Sequence, residues 1–494
     1  MRYSIVSSDK DFSSFDCPVV AFFDKAGVKS SSYWSQLLKT DQDYLTMLTS
    51  KKHGSSVQMI LLPESRKHVI LVRLGDKKSF NERALVRISR RIMRFVKDEG
   101  INSYVVSLND FQAGHLSERV IEVMSEAFEM ACYDFVSFKE APKDGWHDVA
   151  RVGFFTKEKS KNLSRSLETG ALVGEMINRV RELSNTPGGD MTPTGLASAA
   201  VTICEEVGVS TSILTEKEME ELNMGGMLGV SRGSVEEAKL IVMEYYGGKK
   251  DKAPIVFVGK GITFDSGGLN LKPGRSMEEM HMDMNGGAAV IGAVAVAAKL
   301  KLPVNIVGIV PSVENMPSGQ SYRPGDILKS MSGKTIEVVD TDAEGRVILA
   351  DALTYAERYN PALVLDVATL TGAACVALGK YASAYMTRND DVAKLIDEAG
   401  EMGHDYVWRL PLWDEYEGEV KGQTGDIANA SRGRDGGAIN GGMFLYQFAK
   451  KFPRWAHIDI APTMTSGPDQ YLCKGASGSG MRLLVQVARS FRGK

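Results

Sequence analysis

Apolar residues in this chain fall in short dense runs, separated by stretches in which they recur at helical intervals. The runs at 19–23, 57–62, 69–74 and 104–108 are rich in Val, Ile and Leu and end at turn residues, so they predict strands. The stretches 82–97 and 116–135 carry the helical period. On the first of these, Leu85, Ile88, Ile92 and Phe95 make one face. Arg83, Arg87, Arg90, Arg94 and Lys97 make the other, which reads as a solvated cationic stripe. This alternation predicts a small α/β domain over 1–160. Residues 161–184 are polar and helix-competent, with Leu163, Leu167, Ala171, Met176, Val180 and Leu183 at loosely helical spacing, and predict a connecting helix. Asn185-Thr186-Pro187-Gly188-Gly189-Asp190 is turn-rich, and Thr192-Pro193 has the form of an N-cap and first helical residue.

From 185 to 494 the pattern is strand, helix, strand, helix. The better strand runs are 240–246, 255–258, 305–310, 363–369 and 456–460. Between them lie stretches such as 286–300, built of Gly, Ala, Val and Ile with no charge before Lys299. Strands alternating with helices predict a mostly parallel central sheet covered by helices. The expected architecture is therefore two α/β domains, a smaller N-terminal one and a larger C-terminal one.

A length of 494 residues exceeds a single core and agrees with that division. The charged fraction of 24% and hydrophobic fraction of 43% are those of a globular protein. A net charge of −3 argues against general nucleic-acid binding. Five scattered cysteines without a CxxC pair indicate neither a disulfide framework nor a cysteine zinc site. Residues 1–12 hold no apolar core of signal-peptide length, and the longest uncharged run, 286–298, is too short to span a bilayer. A cytoplasmic protein away from membranes is expected.

The chemistry is concentrated in two segments. Val338-Val339 reads as the end of a buried strand, and Asp340, Asp342 and Glu344 follow at every second position, then Arg346. Carboxylates that close repel unless a cation neutralises them, so the spacing predicts a divalent metal. The second segment follows the strand run 255–258. It contains Lys260, Asp265, Lys272 and Asp283, with Asp265 just past the strand and Asp283 just before the helical run at 286. In open α/β sheets that is the carboxyl edge, where ligands bind. Gly259-Lys260-Gly261 lacks the spacing of a phosphate-binding loop, and His281 is the one histidine near either segment.

These segments resemble the leucyl aminopeptidase family, the M17 cytosolic metallo-exopeptidases. The family signature Asn-Thr-Asp-Ala-Glu-Gly-Arg-Leu is matched by Asp340-Thr341-Asp342-Ala343-Glu344-Gly345-Arg346-Val347. Further blocks are matched by 258–268, 271–274, 280–289 and Thr369-Leu370-Thr371-Gly372-Ala373. The resemblance implies metal ligands at Lys260, Asp265, Asp283, Asp342 and Glu344, and catalytic side chains at Lys272 and Arg346. It implies a substrate pocket formed by Met280, Thr369, Leu370, Gly372, Ala461 and Met464. Two divalent cations are implied, zinc or manganese, with magnesium and cobalt compatible, and a bicarbonate on Arg346 as general base. Peptides with a free N-terminus would be the substrates, Leu or another apolar residue being preferred, and the assembly a homohexamer. The signature departs at Asp340, in place of Asn, and at Val347, in place of Leu. Asp340 predicts either tighter cation binding or an altered pH profile, or else an Asx turn that only ties loop amides.

Overall fold

Most of the short apolar runs become strands that are buried on both faces. Residues Cys17–Phe22, for example, are buried at all six positions, so no alternation survives in the sequence. In the computed structural model, which describes residues 1–50 and 56–491, the chain divides into two units. The first comprises Met1–Asn178 with Gly467–Lys474, and the second Arg179–Ser466 with Gly475–Lys494. The boundary falls within one helix, Lys161–Asn185.

The first unit holds β1 (Arg2–Val6), β2 (Cys17–Phe22), β3 (Val57–Leu61), β4 (His68–Arg73), β5 (Ser103–Ser107) and β6 (Arg151–Phe155). They form one sheet in the order β1-β6-β5-β2-β4-β3. All pairings are parallel except the β3–β4 hairpin. The helix Glu82–Asp98 starts at Asn81, whose side chain accepts the Ala84 N–H. Its cationic stripe is solvated in part, at the exposed Arg83 and Arg87, and paired elsewhere. Arg94 and Lys97 both pair with Asp134, at 2.7 and 3.0 Å. The guanidinium groups of Arg87 and Arg91 lie over the Tyr471 ring, 5.9 and 5.6 Å from its centroid.

The second unit contributes β7 (Ser210–Leu214), β8 (Lys239–Tyr246), β9 (Ile255–Gly259), β10 (Gly261–Asp265), β11 (Asn305–Asn315), β12 (Ile327–Lys329), β13 (Thr335–Glu337), β14 (Leu363–Ala368), β15 (Ser383–Met386), β16 (Val407–Arg409), β17 (Ile427–Ala428) and β18 (Trp455–Asp459). Its nine-stranded sheet runs β16-β15-β18-β14-β9-β11-β8-β7, with β10 paired to β11. The central strands β18, β14, β9 and β11 are parallel. Beyond them the pairs β11–β8, β8–β7 and β18–β15 are antiparallel. The helix Asn285–Lys299 is buried at every position up to Ala298, which explains its lack of charge. Two expectations shift. Asp265 does not follow its strand but ends a separate one, β10. Val338-Val339 lies past β13, which belongs to a small β12-β13-β17 sheet and not to the central one.

Candidate functional site

The carboxyl ends of the central parallel strands deliver the chemistry. Lys260 follows β9, Asp265 ends β10, Asn315 ends β11, Thr369 follows β14 and Asp459 ends β18. Asp283 closes the turn Met280–Met282 and leads into the helix Asn285–Lys299. Asp342 sits in the loop after β13, and Glu344 opens the helix Glu344–Ala356. Arg346 lies in that helix's first turn, where the unsatisfied backbone N–H groups favour an anion.

Separate segments thus meet at one site, where Asp265, Asp283 and Glu344 are buried and Asp342 reaches the surface. Asp265, Asp342 and Glu344 each present a carboxylate oxygen, and these oxygens lie within 4.8 Å of one another. Two lysines thread between the acids. Lys260 Nζ is 2.7 Å from Asp283 Oδ2 and 2.8 Å from Glu344 Oε1, and it donates to the Thr369 carbonyl at 3.0 Å. Lys272 Nζ is 2.8 Å from Asp265 Oδ2 and 2.6 Å from Asp342 Oδ1. Burial opposes both ammonium charges, but the surrounding carboxylates more than offset it and hold both lysines above the usual pKa. The acids move the other way. Burial, reinforced by Asp265 and Glu344, pushes Asp342 up to about 7. Burial also raises Asp283 and Glu344, and in both Asp265 adds to the effect.

These shifts test whether the residues fit a metal. Four carboxylates face two ammonium groups, so negative charge remains uncompensated, and repulsion between the acids adds to burial in raising Asp283, Asp342 and Glu344. Glu344 Oε2 is buried with no hydrogen-bond donor. An oxygen-rich set with surplus negative charge and an orphaned acceptor fits hard or borderline divalent cations.

Arg346 donates from Nη1 to the Asn429 carbonyl at 3.0 Å, while its Nε is buried without a partner. Asp340 forms the Asx turn, its Oδ1 accepting the Asp342 N–H at 2.9 Å. Of the residues expected to line a substrate pocket, Met280 lies in the turn that Asp283 closes. Thr369 is tied to the acids directly, its hydroxyl donating to Asp283 Oδ1 at 2.6 Å. Leu370 and Ala461 are drawn together by Asp459, whose Oδ1 accepts both backbone N–H groups at 3.1 Å. Gly372 opens the helix Gly372–Leu378, and Met464 follows the turn Ala461–Thr463. Sequence reasoning missed Asn315, Asn429 and Asp459, all fully buried polar residues. A polar residue closing an apolar run, as at Asn315 and Asp459, was the available signal.

The chain is also similar to known proteins over its whole length. Residues 178–485 match the catalytic domain of the cytosol aminopeptidase family, and residues 23–142 match its N-terminal domain. A probable cytosol aminopeptidase of Methylobacillus flagellatus is 39% identical over 505 residues, covering 100% of both chains. One of Syntrophotalea carbinolica is 40% identical over 430 residues, covering 86% of each. Among solved structures, the bottromycin maturation enzyme BotP superposes with a TM-score of 0.83 at 28% identity, covering 96% of this chain and 99% of that one. Its complex with Mn gives 0.84.

Proposed function

The chain belongs to the cytosol aminopeptidase family and is a hydrolase of the aminopeptidase type, and from that premise we propose how its own residues perform the reaction. It removes the N-terminal residue, preferably Leu or another apolar one, from peptides. Lys260, Asp265, Asp283, Asp342 and Glu344 hold two divalent cations, manganese or zinc. When bound, these cations supply an ionised water at neutral pH and an electrophilic hold on the scissile carbonyl. Lys260 can ligate only as the free amine. Its raised pKa among the carboxylates alone means that the cations themselves must lower it.

Lys272 keeps its proton and donates to the oxyanion that develops on the scissile carbonyl. Arg346 presents a planar fork that would hold a planar oxyanion such as bicarbonate, which would supply the general base the side chains themselves lack. Its buried, unpartnered Nε leaves a donor for that purpose. Met280, Thr369, Leu370, Gly372, Ala461 and Met464 receive the first side chain of the peptide, and their apolar character favours Leu and Met. The enzyme acts in the cytoplasm as a homohexamer on peptides with a free N-terminus. Among the described residues no helix is long and apolar enough to cross a membrane.

The observation that carries this reading is the convergence of Asp265, Asp342 and Glu344 oxygens within 4.8 Å at the carboxyl edge of the sheet. Hydrolysis of Leu, Met, Ala and Arg chromogenic amides by the manganese-loaded protein tests it, with Asp342→Ala as control. Chelator-sensitive activity greatest on Leu or Met, and lost in the variant, is expected. No activity with saturating manganese or zinc would overturn it. Light scattering on the eluting protein tests the hexamer.

A further inference from the structure

The strand β11 is buried along all 11 residues and ends at Asn315. Its parallel register with β10 sets Asn315 directly opposite Asp265. The Asn315 carbonyl accepts from the Ser266 N–H at 3.1 Å and the Ser266 hydroxyl at 2.7 Å, which fixes the backbone there. From this anchored position the side-chain amide donates twice. One bond reaches Asp265 Oδ1 at 2.8 Å, and the other reaches the Thr341 carbonyl at 3.0 Å. Thr341 stands between Asp340 and Asp342 in the other acidic segment. A single NH2 group therefore spans both acid-bearing segments.

The residue type is specified by these contacts. Leucine would supply no donor, and aspartate would set a like charge against Asp265. Asn315 Oδ1 is buried with no partner, so the acceptor half of the amide gains nothing in return for its burial. Space behind it is closed: a Cβ on Gly268, which sits at φ +66, would lie 2.9 Å from Asn315 Oδ1 and 3.1 Å from Thr341 Oγ1. Asp265 Oδ1 accepts from the Gly267 N–H at 2.9 Å as well as from Asn315. Its other oxygen, Oδ2, is left facing Lys272 Nζ.

We propose that Asn315 is a positioning residue, which selects the Asp265 oxygen offered to the divalent cations and ties that carboxylate to the loop bearing Asp342. The inference rests on the two-cation reading given above. Outer partners that orient a metal ligand are commonly worth 10- to 100-fold in metal affinity. Tyr322 supplies the internal comparison, because its hydroxyl donates to the same Thr341 carbonyl at 2.7 Å but has no recorded bond to Asp265.

The test is Mn2+ titration of the full-length, chelator-stripped protein, with free Mn2+ read by electron paramagnetic resonance. Wild type, Asn315→Ala and Tyr322→Phe are compared, each with its metal-free melting temperature. Mn2+ affinity falls about 10- to 100-fold in Asn315→Ala and stays near wild type in Tyr322→Phe. Unchanged affinity in a folded Asn315→Ala overturns the inference. So does an equal loss in Tyr322→Phe, which would mean loop support alone. Should Asn315→Ala fail to fold, Asn315→Ser replaces it with the same expectation, since one short hydroxyl cannot reach both acceptors. A wild type that binds no Mn2+ overturns the two-cation reading and this inference together. A wild type that binds, with the variant unaltered, overturns this inference alone.

Discussion

Adding one methyl group at Gly345 sets two energies of known size against each other. Gly345 is the second residue of the helix Glu344–Ala356, and on helix propensity alone alanine there would stabilise by about 1 kcal/mol. Space opposes it. A Cβ would lie 2.5 Å from Lys260 Cε, 2.7 Å from Nζ and 2.8 Å from Cδ. Ordinary contact begins at 3.4 Å, so the lysine must withdraw by roughly 1 Å. A free lysine would do so at little cost. This one is 3% exposed, and its Nζ is held between Asp283, Glu344 and the Thr369 carbonyl. Withdrawal stretches at least one charged hydrogen bond, worth about 1.5–3 kcal/mol. The loss exceeds the propensity gain, leaving a net destabilisation of about 0.5–2 kcal/mol and a melting temperature lower by up to a few degrees. The catalytic effect is larger, because a 1 Å misplacement near reacting groups costs about 100-fold. Calorimetry and kcat/KM on a leucyl chromogenic amide read both quantities. A variant that melts higher than wild type with full kcat/KM would refute the reasoning, since Lys260 would then have room to move.

Three further substitutions follow from the same contacts. Lys272→Met removes the donor to the developing oxyanion, so kcat falls about 100- to 1,000-fold with KM little changed; an intact kcat would sink that role. Asp340→Asn keeps the acceptor for the Asp342 N–H, so Mn2+ affinity measured by titration stays at the wild-type value, whereas a clear weakening would make Asp340 an electrostatic contributor. Asp351 is fully buried, accepts the Met227 and Met331 N–H groups, and is pushed by burial from the ordinary 3.8 up to about 7. It binds its proton more tightly folded than unfolded, so ionising it costs stability; the cost is absent below pH 3.8, grows up to about pH 7 and persists above. The urea midpoint of wild type therefore declines across that window more steeply than that of Asp351→Asn, and parallel profiles would contradict the assignment.

What the sequence made legible was whatever its local spacing encodes. The acids at 340, 342 and 344 declare themselves because three like charges in five residues have no place in an ordinary loop. The central strands were visible as unbroken apolar runs, and the helix Asn285–Lys299 as a stretch without charge. The edge strands were harder to see. β1 reads Arg-Tyr-Ser-Ile-Val, with its first residue exposed, and has no apolar run to announce it. Asn315 and Asp459 were harder to place for another reason. They act through sheet order, which sets β18 beside β14 and β11 on the far side of β9, although these strands lie far apart in the chain. Likewise, periodicity showed the cationic stripe on Glu82–Asp98 but not Asp134 or Tyr471, the distant residues that occupy it.

The energetics of the acid cluster explain why its residues belong to function and not to stability. Burying three carboxylates, Asp265, Asp283 and Glu344, requires partners for each, and a buried ion pair seldom stabilises more than apolar residues of the same volume would. Here the pairing is also incomplete, for two ammonium groups serve four acids and Glu344 Oε2 has no donor. The lysines pair the acids across segments, Lys260 joining Asp283 to Glu344 and Lys272 joining Asp265 to Asp342. Each ammonium thus bridges acids brought in by different parts of the chain. Ions with two charges each would complete the neutralisation that the lysines only begin. A site that folding alone would disfavour is held by Asn315, Thr369, Asn429 and Asp459, whose hydrogen bonds over-determine its geometry, and such strain concentrates where a protein does chemistry.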